Sequence, residues 1–171
     1  IMKKYHLTQR IIHWLMALFI LFLLVLGFVM TNFPLENKYF YYNLHKSFGV
    51  ILLFLIILRV MLRLKFKAPK LPFKVRKLEK KLKQMTFLSL YLLMFLVPLS
   101  GWLMSNSHGY GVKLFQLKMP NLMAKNEFIA NISSYTHQYL AYIIAFIVLF
   151  HIIAAFKHVF YDGKNIIKRI W

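Results

Sequence analysis

The sequence predicts an all-α membrane protein, a bundle of four transmembrane helices. Three observations predict it. Of 171 residues, 60% are apolar, against about 45–50% in soluble domains. Four apolar runs, over about residues 11–30, 44–64, 85–104 and 135–160, each reach the roughly 20 residues that a helix needs to cross a hydrocarbon core. The charged residues crowd into the segments between and beyond these runs. A single domain over residues 1–171 is expected.

The first run is too long for a secretory signal, and no A-x-A-like cleavage site follows it. The second opens on His45 and carries Arg59 and Arg63 toward its far end. The third contains Pro98 and Gly101 but no histidine. Those two residues point to a kink or to close packing, so this helix reads as a wall of the bundle. The fourth carries both His137 and His151. Between the second and third runs lies KLPFKVRKLEKKLKQ (residues 70–84), which fits either a surface helix on anionic lipid or a solvated loop. The connection over residues 105–135 is long enough to be functional or partly helical. No internal repeat or low-complexity tract is present.

Charge orients the helices. Of the 23 Lys and Arg residues, 18 fall in the N-terminal segment, the second connection and the C-terminal segment, against 5 in the first and third connections. The positive-inside rule therefore predicts cytoplasmic N- and C-termini. The net charge of +19 would by itself point to nucleic acid. Its clustering around apolar spans points to membrane lipid instead, and no nucleic-acid partner is expected. With no cysteine in the chain, disulfides, thiolate zinc sites, iron–sulfur clusters and thioether-linked haem are excluded.

Four histidines form a pattern. His137 and His151 are 14 residues apart, a step that ends about 40° short of four full turns and rises about 21 Å. Both thus share one helix face, one toward each side of the bilayer. The topology places His13 near the cytoplasmic side, with His151, and His45 near the outer side, with His137. A lone histidine at a membrane interface is most often structural. Two on one face, each with a same-side partner on another helix, describe bis-histidine ligation of two b-type haems stacked across the membrane.

The same 14-residue step leads from His13 to Gly27 and from His45 to Arg59. Gly27 would let a ring edge approach the backbone closely. Arg59, with Arg63 one turn on, would meet haem propionates; a snorkelling, orienting role fits these arginines equally well. Gly49 would make room for a ring or pack helices. His6 and His108 read as solvated. His158 falls two turns beyond His151, where it would serve a quinone carbonyl or sit at the interface. Trp14 would wall such a pocket or belong to the aromatic belt.

The chain resembles the bacterial cytochrome b561 family of small di-haem membrane proteins along nearly its whole length. The resemblance rests on "HW" at His13–Trp14, "LHKSFGVILLFLIILRVMLRLK" around His45, "YLLMFLVPLSGWLM" in the third run, "LKMP" in the outer connection, His137-x13-His151, and "KHVFYDG" after it. It implies axial ligation by the four histidines and residence in the bacterial inner membrane. It also implies a superoxide oxidase activity, in which superoxide is oxidised at the outer, periplasmic face and electrons pass to ubiquinone. Lys113, Lys118 and Lys125 would then raise the local superoxide concentration, or act as ordinary solvated lysines. The alternative is an electron-transfer subunit docked to a larger dehydrogenase of hydrogenase or formate dehydrogenase type. A non-redox transporter would leave all four histidines incidental.

Overall fold

A computed structural model of the chain describes residues 3–69, 76–163 and 165–171. Four long helices account for most of it: α1 (Leu7–Val29), α2 (Leu35–Lys65), α3 (Lys77–Ser107) and α4 (Glu127–Phe160). All four are long and apolar enough to cross a membrane. Each extends past the apolar run read from the sequence. The 31 residues of α2 span about 46 Å at 1.5 Å per residue, well beyond a core about 30 Å thick. The extra turns are polar and aromatic, as interfacial turns are.

Local sequence explains the boundaries. A 3-10 turn (Met30–Asn32) leads through extended Phe33 to Pro34, whose ring holds φ at −54° as the chain enters α2. Asn126 caps α4, its side chain accepting the Ile129 N–H at 3.0 Å. Residues 70–75 of the basic segment lie outside the described residues. Lys77–Gln84 is neither a separate surface helix nor a loop: it forms the first turns of α3. No breaker separates it from the apolar run, and Glu79 pairs with Arg76 at 2.8 Å at the positive helix start.

Each helix packs on its neighbour in sequence, α3 on α4 most extensively. α1 and α4 are not among the closely packed pairs. The core joins Met16, Ile20 and Leu23 of α1, Leu52, Leu53 and Ile56 of α2, Leu90, Leu93 and Met94 of α3, and Ile144 of α4. Large apolar side chains such as Leu18, Phe54, Leu88 and Phe146 point outward, as a lipid-facing surface requires.

One end of the bundle gathers both chain termini. The Tyr5 N–H donates to the Arg169 carbonyl at 2.9 Å, and the Trp14 indole N–H to the Ile170 carbonyl at 3.0 Å. Gln9 donates to the Leu62 and Phe66 carbonyls, both at 3.1 Å, closing the end of α2. At the other end a hairpin, β1 (Lys113–Leu114) with β2 (Leu117–Lys118), lies on α2. Buried Ser47 holds it there, donating to the Lys113 carbonyl at 3.0 Å and accepting the Phe115 N–H at 2.8 Å.

Candidate functional site

Two imidazole pairs face each other across the bundle. His13 of α1 and His151 of α4 have ring centroids 6.5 Å apart and ring planes at 74°. His45 of α2 and His137 of α4 have centroids 6.2 Å apart and planes at 89°. A metal–imidazole bond is about 2.0–2.1 Å long. Two rings binding opposite sides of one ion through Nε2 therefore have centroids about 6.3 Å apart. Both spacings fit one ion between the rings.

What surrounds each ring tests the fit further. The His137 Nδ1 lies 2.9 Å from the Val97 carbonyl and 3.2 Å from the Ser100 hydroxyl. Ser100 gives its own proton to Val97, at 2.8 Å. His137 must then be the donor to both, which puts its proton on Nδ1 and leaves Nε2 bare, the tautomer of a ligating histidine. A Cβ on Gly101 would lie 2.8 Å from His137 Cε1, and one on Gly27 would lie 3.2 Å from His45 Cε1. A glycine thus backs each ring of this pair. A Cβ on Gly49 would meet nothing within 4 Å. The His45 Nδ1 is buried without a hydrogen-bond partner among the described residues.

Arg59 reaches the other pair. Its Nη2 donates to His13 Nδ1 at 3.1 Å, its guanidinium lies 6.0 Å from the Tyr91 ring centre, and its buried Nη1 has no hydrogen-bond partner among the described residues. Among the described residues, no carboxylate pairs with it. A cation so placed calls for an anion. The contact also sets the His13 tautomer, because a guanidinium only donates. Nδ1 accepts, so the proton sits on Nε2. A metal ion on Nε2 would require that proton to move to Nδ1, and Arg59 would have to leave it. A ligand that brings both a metal ion and carboxylates satisfies the two requirements together.

The remaining candidates are scattered. The Arg63 guanidinium lies 5.8 Å from the Tyr5 ring centre. His158 donates to Asp162 at 2.6 Å, and Lys157 bonds the same carboxylate at 3.0 Å. The Lys157 hydrogen bond, followed by that of His158, holds the Asp162 carboxyl below its ordinary range. Trp14 edges against Trp171 and lines a cleft of about 720 Å³ with Lys4, Leu7, Arg10, Ile11 and Ile170. His158 is not among the residues that line it. Lys113 and Lys118 are cross-strand partners in the hairpin. Lys125 instead packs its stem near Gly109. His6 and His108 are exposed. Sequence reasoning missed Ser47, Val97 and Ser100; the only signal was a hydroxyl within an apolar run.

Four membrane-length helices holding two facing imidazole pairs have the form of a multi-pass membrane cytochrome. The chain belongs to the prokaryotic cytochrome b561 family, whose model matches residues 4–171. It is also similar to cytochrome b561 homolog 2 of Escherichia coli (strain K12), with 26% identity over 98% of this chain and 91% of that protein. Membership makes this a transmembrane, haem-based electron-transfer protein.

Proposed function

We propose that this chain is a single di-haem unit that carries single electrons from superoxide to ubiquinone. His13 with His151 would hold one haem b, and His45 with His137 the other. The carrying observation is the imidazole spacing, 6.5 and 6.2 Å, which suits one iron per pair. Bound haem would supply a reversible one-electron iron couple in each half of an otherwise insulating core.

The chain's own residues supply the rest. Lys113 and Lys118 lie directly opposite each other, an arrangement that like charges resist and that a small anion relieves. Ser47, two residues from His45, ties this cationic hairpin to α2. Superoxide attracted there gives up one electron and leaves as dioxygen. At the opposite end the Trp14 cleft has apolar walls at Leu7, Ile11 and Trp171 for an isoprenoid quinone, with Lys4 and Arg10 also lining it. Two electrons and two protons convert the quinone to its quinol. The basic end containing the termini faces the cytoplasm in this reading, and the hairpin faces the periplasm across the inner membrane.

The test is a superoxide pulse onto oxidised, detergent-purified protein with a short-chain ubiquinone analogue present. Two haems per chain, haem reduction and one quinol per two superoxide consumed are expected. Haem that stays oxidised under superoxide, but is reduced by an added dehydrogenase, would replace this reading with that of an electron-transfer subunit.

A further inference from the structure

We infer that α3, which offers no ligand, is the element that positions and electronically tunes His137, through Ser100, Gly101 and the Val97 carbonyl. The inference rests on the haem reading above but concerns different residues.

Three contacts converge on one ring. The Val97 carbonyl accepts the His137 Nδ1 proton at 2.9 Å, and the Ser100 hydroxyl oxygen lies 3.2 Å from the same nitrogen. Ser100 is itself oriented by its bond to Val97 at 2.8 Å, so its lone pair rather than its proton faces the ring. Gly101 supplies the third contact by having no side chain. A Cβ there would fall 2.8 Å from Cε1, 3.0 Å from Nδ1 and 3.4 Å from Nε2 of His137. The ring therefore lies against the α3 backbone itself, where any larger residue would displace it.

Among the described residues, none of the other three paired histidines shows this arrangement. His45 has a glycine behind it, but its Nδ1 is unpartnered. His13 meets a cation at Nδ1. Acceptors on the distal nitrogen of a ligating imidazole make it a stronger electron donor, and such partners shift metal affinity or activity by about 10- to 100-fold when removed. The His45–His137 iron should thus be the more electron-rich, with the lower potential. The His13–His151 iron, whose His13 has no acceptor at Nδ1 among the described residues, should have the higher. That order favours passage from the hairpin end to the Trp14 end.

The test uses intact haem-loaded protein in a potentiometric titration followed in the haem visible bands, with electron paramagnetic resonance of the oxidised form. His137→Ala identifies which wave belongs to this pair. Ser100→Ala should raise the potential of that wave alone, and Ser100→Thr should restore it. Gly101→Ala should alter the low-spin signal of that haem or weaken its binding by about 10- to 100-fold, leaving the other wave in place. Because Gly101→Ala can disturb folding, the Ser100 series decides. Two haems with an unmoved wave in Ser100→Ala, or both waves moving together, would overturn the positioning role while leaving the haem reading intact. A wild-type protein without haem would overturn both.

Discussion

Replacing Arg59 with methionine separates haem-free stability from haem affinity. The guanidinium donates once, to His13, and its other terminal nitrogen is buried and orphaned. Two charge-assisted bonds to a propionate would contribute about 1.5–3 kcal/mol each. The bond to His13 is given up in exchange, so the net gain is about 1.5–3 kcal/mol, or roughly 10- to 100-fold in affinity. Methionine keeps the reach and the apolar packing but loses the charge. Haem-free protein should become more stable, since a half-buried cation without a carboxylate partner among the described residues disappears. Haem affinity at the His13–His151 pair should fall by roughly 10- to 100-fold. The assay pairs thermal unfolding of the haem-free protein in detergent with a haem titration in which His45→Ala isolates the pair. Undiminished haem affinity in Arg59→Met would refute the argument that the cation awaits a carboxylate.

Three further outcomes are expected. Ser47→Ala removes one acceptor and one donor holding the hairpin, which should cost about 1–3 kcal/mol and speed hydrogen exchange at Phe115 without changing haem content. Lys118→Glu replaces a like-charge cross-strand pair with an opposite one; it should stabilise the hairpin, slow superoxide-driven haem reduction and flatten the salt dependence of that rate. Asp162 titrates below its ordinary 3.8 in the folded chain. The stability it contributes is present above 3.8 and is lost as pH falls through the depressed folded value. Asp162→Asn should therefore unfold more easily near neutrality, and its difference from the wild type should vanish in strong acid, as read by thermal scans across pH.

The four spans were legible because apolar length is written in composition. Their ends were not: α2 begins at Leu35 rather than near Leu44, since a window of hydropathy passes over the polar and aromatic turns that precede His45. Periodicity gave the level of Arg59, which the structure brings to His13. Gly27 emerged from the same step but lies against the His45 ring itself. Arg63, one turn beyond Arg59, lies over the Tyr5 ring, because one further turn carries it to the level of the N-terminal segment. Ser100 and Val97 were beyond reach for a physical reason. A carbonyl is present at every residue, and only the packing of α3 on α4 makes one of them an acceptor for His137. The Ser47 clamp was hidden likewise, as its partners are backbone groups 66 and 68 positions away.

Both facing pairs take one member from α4, the helix synthesised after the other three. A nascent chain emerging from the ribosome therefore displays His45 with nothing opposite it until translation has passed residue 137, and His13 until it has passed residue 151. In the proposed di-haem reading, cofactor capture would wait for the completed insertion, and a product stalled before α4 has neither pair. In that reading the order of the helices alone would guard against premature loading, with its risk of loosely held redox-active iron.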